Sequence, residues 1–153
     1  MVEMSLGRIV IREGADHQYI YLKEKGGERG FPIVIGSSEA WEIQRVVTKV
    51  ETERPLTHQL TSNIIEELGA TLTRVDIVDL ASNTFFARLL FADSKGELCA
   101  TADARPSDAI ALAQRAKCPL QVSLDVLESV RTDTSGPDPL PPAEPDSDSD
   151  PQQ

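Results

Sequence analysis

Between Thr101 and Ala113 the chain crosses from an apolar, strand-like run to an apolar, helix-like run through Asp103, Ala104, Arg105, Pro106, Ser107 and Asp108. Pro106 fixes the character of the crossing, because the residue before a proline is driven into extended geometry and a helix cannot run through it from behind. A helix is therefore predicted from Ser107 to about Ala116, burying Ala109, Ile110, Leu112, Ala113 and Ala116, with alanines small enough for close approach to a sheet. Four polar side chains, Asp103, Arg105, Ser107 and Asp108, are crowded into this joint.

The chain leading to that joint alternates strand and helix signals. Leu6 to Glu13 alternates Arg8, Val10 and Arg12 against Ile9 and Ile11, and Gln18 to Glu24 continues in β-forming residues. Glycines at 26, 27 and 30 mark a turn before Phe31 to Ile35. Pro32 cannot donate to a ladder, so this third strand is expected at a sheet edge. A helix is predicted over about Glu39 to Val50, with Ser38 as its cap, Glu39 and Glu42 at its positive end, and Ala40, Ile43, Val47 and Val50 inside. The lone Trp41 lies beside that stripe and is read as partly buried. Thr57 is the candidate cap of a second helix, with Leu60, Ile64 and Leu68 as its buried stripe, Gly69 at its end and His58 on its exposed start.

Residues 70 to 80 read as a strand with Val75, Ile77 and Val78 inside, and Thr84 to Ala92 as a central apolar strand. A hairpin turn at Asp93, Ser94, Lys95 and Gly96 returns the chain along Glu97 to Asp103, with Leu98, Ala100 and Ala102 on one face. After Pro119 come a short strand, Leu120 to Ser123, and a terminal helix or turn from Leu124 to Val130. The fold class expected is α+β: one compact domain over residues 1–131, a mixed, largely antiparallel sheet packed by three main helices. Residues 132–153 are Pro, Asp, Ser and Gln with hardly an apolar side chain, and are expected to be a disordered acidic tail.

Charge narrows the functional classes. The net charge of −10 divides evenly, with half of it on residues 131–153, so the first 130 residues are themselves mildly acidic. No Lys/Arg cluster offers the footprint of a protein that wraps duplex DNA by counterion release. No apolar run is long enough to span a bilayer and no basic, apolar leader opens the chain, so a cytoplasmic protein without membrane partners is expected. Cys99 and Cys118, without Cys-x-x-Cys spacing, are read as buried free thiols. His17 is isolated and expected in solvent.

Two segments share one design: Arg54, Pro55, Leu56, Thr57, His58 and Arg105, Pro106, Ser107, Asp108. In each, an arginine precedes a proline and a hydroxyl residue follows at a helix start. A forked guanidinium beside free helical N–H groups makes a phosphate or carboxylate site. The bland alternative stands beside it: Thr57 and Ser107 capping their helices, Asp108 offsetting a dipole, and Arg105 paired with Asp103. His58 suits proton transfer near neutral pH or, equally, a hydrogen bond locking two elements together. Glu39, Asp103 and Asp108 are the oxygen ligands available to magnesium or manganese. A Ser107, His58 and Asp103 hydrolase lacks the Gly-x-Ser-x-Gly elbow, and Rossmann and P-loop signatures are absent.

Pro32 to Gly36, Glu39-Ala40, Arg54 to His58, Phe85 to Ala87 and Asp103 to Leu112 together resemble the bifunctional nuclease family, also called the domain of unknown function 151. The resemblance runs from about Leu6 to Val130. It implies a compact α/β domain, often a homo-oligomer, with nuclease activity on DNA and RNA in some members. The candidate positions it carries over are Glu39, Arg54, Thr57, His58, Asp103, Arg105, Ser107 and Asp108. The resulting expectation is a metal-assisted phosphodiester hydrolase acting on nucleic acid. Arg54 and Arg105, with Thr57 and Ser107, hold the phosphate. His58, Asp103 and Asp108 are catalytic, and Glu39, Asp103 and Asp108 hold Mg2+ or Mn2+. The competing expectation is a non-enzymatic binding or assembly domain whose Arg-Pro segments form a structural network or anion site.

Overall fold

The computed structural model describes residues 1–132, with side chains through Val130. Of the expected acidic tail, Thr132 ends the last helix and residues 133–153 lie outside the described residues. Two antiparallel meanders make the sheet. The first is β1 (Val2–Val10), β2 (Gln18–Glu24) and β3 (Gly30–Ile35). The second is β4 (Thr71–Ala81), β5 (Thr84–Ala92) and β6 (Leu98–Ala104). The short β7 (Leu120–Val122) joins them, antiparallel to β1 and parallel to β4, giving seven strands in the order β3-β2-β1-β7-β4-β5-β6. The fold class is α+β with a mixed sheet, as the sequence predicts. β3 stands at an edge, as Pro32 requires, and a chain reversal at Asp93–Gly96 closes with Gly96 N–H donating to the Asp93 carbonyl. β5 is interior, paired with β4 on one side and on the other with β6, which is the second edge.

The sheet is strongly curled. In a flat sheet β3 and β5 would lie about 24 Å apart at the usual strand spacing, yet Phe31 of β3 and Phe85 of β5 stack with ring centroids 5.6 Å apart. Inside the curl, alternate residues Ile20 and Leu22, Phe31, Ile33 and Ile35, and Val75 and Ile77 form one continuous core. Val78 is only half-buried because the β4 register shifts between Ile77 and Asp79. β1 starts earlier than its alternating stretch predicts and ends at Val10.

Three helices cover this core: α1 (Ser37–Val47), α2 (Thr57–Glu67) and α3 (Pro106–Ala116); α4 (Leu124–Thr132) closes the chain's described part against β4. α3 is the inner helix, touching α1, α2, β4 and β5, and it buries Ala109, Ile110, Ala111, Leu112 and Ala113. Its alanines leave room for neighbours on both sides, whereas Ala116, expected inside, is exposed at its end.

Several expectations about the outer helices are corrected. α1 stops at Val47, and of its predicted stripe only Ala40 and Ile43 are buried; Val47, Val50 and Trp41 are exposed. The missing burial is supplied by Glu42, which sits inside among arginines instead of at the helix end. α2 ends as expected, with Gly69 in the left-handed region at φ +78°. Its Leu60, Ile64 and Leu68, however, face solvent, and the helix contains no buried residue. No helix start of the three carries a side-chain cap: the N-cap positions are Gly36, Leu56 and Arg105, not Ser38, Thr57 and Ser107. Cys99 is exposed and Cys118 half-buried, both as free thiols, and His17 is exposed.

The central position of α3 yields a test. Ile110 is fully buried between sheet and helices, so Ile110→Ala should lower the unfolding free energy by about 3 kcal/mol in urea denaturation. A loss under about 1 kcal/mol would contradict the packing described.

Candidate functional site

The first turns of all three helices converge. Arg105, held extended at φ −67° and ψ 146° before Pro106, folds its guanidinium back over the start of α3. Its Nε donates to Asp108 Oδ2 at 2.7 Å and its Nη2 to Asp108 Oδ1 at 3.0 Å. The same Nη2 lies 3.0 Å from Oε1 of Glu39, in the first turn of α1. Across from it, His58 Nε2 in the first turn of α2 lies 2.8 Å from Asp108 Oδ1. Glu39 reaches this position because Gly36 leaves space; a β-carbon there would collide with the Glu39 carboxylate.

The charges settle who donates to whom. Desolvation works to raise the Asp108 carboxyl, but hydrogen bonds from Arg105 and His58 outweigh it and hold the group below the ordinary aspartate range. An ionised carboxylate only accepts, so His58 Nε2 carries the hydrogen of this contact, and in the neutral imidazole Nδ1 is then the acceptor. Asp108, followed by Glu39, raises the Arg105 guanidinium in return. The positive ends of α1 and α3 favour the two carboxylates further.

A second network lies along the same helix seam. Glu42 is 3% exposed, with Arg45 Nη2 2.8 Å from its Oε2 and the Arg115 guanidinium closing tightly on its Oε1. Arg115 Nη1 donates to Gln59 Oε1 at 2.6 Å, and Gln59 Nε2 donates to Asn63 Oδ1 at 2.7 Å. Burial works to raise the Glu42 carboxyl, and hydrogen bonds from Arg115 and Arg45 bring it below the usual glutamate range. None of these five residues stands out by sequence as a member of a cluster. The usable signal is that Glu42 follows Glu39 by three positions and so shares its helix face.

Of the expected site residues, the structure thus brings together Glu39, His58, Arg105 and Asp108. Ser107 is buried beside them at the start of α3. Arg105 is paired with Asp108 and Glu39, not with Asp103. Asp103 lies opposite Arg88 on β5 and is exposed, while its neighbours Ala102 and Ala104 pack on the core, so it points to the other face of the sheet. Arg54 and Thr57 are exposed, and among the described residues Arg54 forms no ion pair. The two Arg-Pro segments are therefore not equivalent: the second contributes its arginine to the cluster, the first only its histidine.

Magnesium or manganese ligation by Glu39, Asp103 and Asp108 requires three free carboxylates in one place. Arg105 occupies two of them and Asp103 stands apart; among the described residues no group of three or more His, Cys, Asp or Glu side chains is disposed to hold a metal ion. The donor set does not fit the ion in this arrangement. An open groove of about 1030 Å³ runs between α2 and the ends of α1 and α3, past Val50, Leu56, Gln59 and Arg115, and does not include the Glu39, His58, Arg105, Asp108 cluster.

The family model described as the bifunctional nuclease domain matches residues 20–135. An uncharacterized protein of Mycobacterium tuberculosis is 39% identical over 127 residues, 83% of this chain and 74% of its own length. Bifunctional nuclease 1 of Arabidopsis thaliana is 29% identical over 133 residues, 80% of this chain and 41% of its own. Bifunctional nuclease 2 of Oryza sativa subsp. japonica is 31% identical over 127 residues, 80% of this chain and 39% of its own. The chain thus spans about two fifths of the plant relatives.

Both carboxylates lowered by their arginines make the fold acid-labile in a defined direction. A depressed folded-state pKa contributes stability that is complete above the unfolded value and lost as pH falls through the folded one. Unfolding free energy should therefore hold above about pH 4.5 and fall below it, and Asp108→Asn should flatten that fall in urea denaturation across the range. Glu42→Ala, which leaves Arg45 and Arg115 without their shared partner, should cost about 3 kcal/mol at pH 7. A loss below about 1 kcal/mol would show that the seam does not depend on this carboxylate.

Proposed function

This chain belongs to the bifunctional nuclease domain family, and on that premise we propose that it hydrolyses phosphodiester bonds in nucleic acid at the cluster of Glu39, His58, Arg105 and Asp108. The observation that carries the reading is the hydrogen bond between His58 and Asp108, which fixes the orientation of the ring, so that the neutral imidazole offers Nδ1 as the proton acceptor. Arg105 commits Nε and Nη2 to carboxylates, keeps Nη1 uncommitted, and its side chain is 65% exposed. A phosphate oxygen can be bound there by a charge-assisted hydrogen bond.

In this reading a water between His58 and the bound phosphate gives its proton to Nδ1 as its oxygen bonds to phosphorus. The phosphorus–oxygen ester bond breaks, and the departing oxygen takes a proton from solvent. Asp108 steadies the imidazolium that forms, and Glu39 fixes the second side of the Arg105 fork. Arg54 and Thr57, exposed on the same segment as His58, contact the rest of the strand in this reading, and the buried Ser107 has a packing role. Asp103 takes no part. The acidic surface slows approach of a polyanion, and DNA or RNA bound as a single strand in the cytoplasm is the substrate class this reading favours.

One observation favours the other reading, a structural joint in a binding domain: Arg105 is already balanced by two carboxylates. Cleavage assays separate the two. Purified protein should cut fluorescently labelled single-stranded DNA or RNA, with Mg2+ or Mn2+ against EDTA as the arm that tests metal assistance. His58→Ala and Arg105→Ala should each reduce the rate by about 100-fold or more. Absence of cleavage in every arm, or cleavage that survives both substitutions, would remove the catalytic reading, and a large loss of stability in Arg105→Ala without any wild-type cleavage would favour the joint.

A further inference from the structure

The first meander has an outer face, turned away from the core and its helices. Ile20 and Leu22 of β2 are buried, so strand alternation sets Tyr19, Tyr21 and Lys23 on the other side, where both tyrosines are half-buried and the lysine is exposed. β1 places Arg8 opposite Tyr21, and β3 flanks the two rings with Pro32 and Val34. None of the residues 5–10, 19–23 and 30–34 is acidic, in a chain whose net charge is −10. Glu3, further along β1, is neutralised by Lys25. Arg8 and Lys23 form no ion pair among the described residues, and the Arg8 guanidinium carbon lies 5.7 Å from the Tyr21 ring centroid. Glycines on both neighbouring strands make room for that ring: a β-carbon at Gly30 would stand 2.9 Å from it, and one at Gly7 3.5 Å. Tyr21 fills the space those side chains would take and lies low over the sheet.

We propose that this face is a stacking platform for single-stranded nucleic acid, with one base on Tyr21, the next on Tyr19, and Arg8 and Lys23 on the phosphates. Charge and spacing select the occupant. Exposed rings with uncommitted cations around them are what a single strand uses, since every base has a face to stack and every linkage a negative charge. Tyr19 and Tyr21 are two positions apart on one strand, about 7 Å, or roughly twice the 3.4 Å rise of stacked nucleotides. Consecutive bases must therefore part from each other to take one ring each, which paired bases in a duplex cannot do. β3 leads from the platform through Gly36 into the first turn of α1, where Glu39 meets Arg105, so a strand held here continues toward the cluster from the same end of β3. That continuation rests on the cleavage proposed for the cluster; the platform does not.

Fluorescence anisotropy of the full chain tests this with a labelled single strand of about 12 nucleotides. Phosphorothioate linkages, which resist hydrolysis, let binding be read whether or not the chain cleaves, so failure of the platform and failure of the cleavage reading are told apart. Kd should be on the order of 10 to 100 μM. Tyr19→Ala and Tyr21→Ala should each weaken binding at least about fivefold, and Tyr21→Phe, which keeps the ring, less than about twofold. Arg8→Gln should lower the slope of log affinity against log salt by about 0.7, and this exposed position carries the test if a tyrosine variant fails to fold. The matching duplex should bind at least about tenfold more weakly. A wild type that does not bind the single strand, or tyrosine variants that bind it as wild type does while Arg105→Ala loses it, would overturn the platform; equal affinity for the duplex would overturn the stacking.

Discussion

Two arginines on α3, one before its first turn and one in its last, hold the helical layer together. Arg115 is clamped on the buried Glu42 of α1 and reaches Gln59 of α2, while Arg105 joins Glu39 of α1 to Asp108, which in turn holds His58 of α2. Because α2 buries no residue, its seat on the domain is polar. Apolar packing fixes α1 and α3 over the sheet, but it does not fix α2. Removing Arg115 leaves the buried Glu42 with Arg45 alone, and removing Arg105 takes from Glu39 its ion pair and from Asp108 one of its two partners, which in a partly desolvated seam costs more than an exposed ion pair is worth.

The same constraint sets the chemistry. A histidine held by an ionised aspartate has its tautomer decided and its free nitrogen aimed; a histidine on a loosely seated helix has neither. α2 therefore carries the proton-transfer group of the proposed site on its inner side and an apolar stripe on its outer side. The polar contacts on the inside are what free the leucines for the outside. This division explains why a helix with so regular an apolar repeat contributes nothing to the domain's own core.

Much of the architecture was legible from the sequence because local rules determine it. Pro32 forces an edge, Gly69 a helix end, Pro106 a strand-to-helix crossing, and the alanines of α3 an inner helix. The convergence of Glu39, His58, Arg105 and Asp108 was legible as a set of suspects, since carboxylates and histidine at helix starts seek positive potential and carboxylate partners. Two things were not. Periodicity tells which residues share a helix face but not which way the face points, so Leu60, Ile64 and Leu68 were expected inside and lie outside. Spacing along the chain likewise placed Asp103 beside Arg105, although strand alternation turns its side chain to the other face of the sheet, and Asp108, one helical turn on, takes the guanidinium. Glu42 was read as an acid at the positive end of its helix for a related reason: nothing local marks a glutamate as buried until the two arginines that neutralise it are seen in space.

The central claim is that α2 and its histidine are seated by charge-assisted contacts. A double-mutant cycle on His58→Ala and Asp108→Ala, read as unfolding free energies at pH 7, measures that contact with the effects of each side chain's other surroundings cancelled. The account predicts a coupling of about 1 kcal/mol or more; losses that add to within about 0.3 kcal/mol would show that the pair meets without holding anything in place.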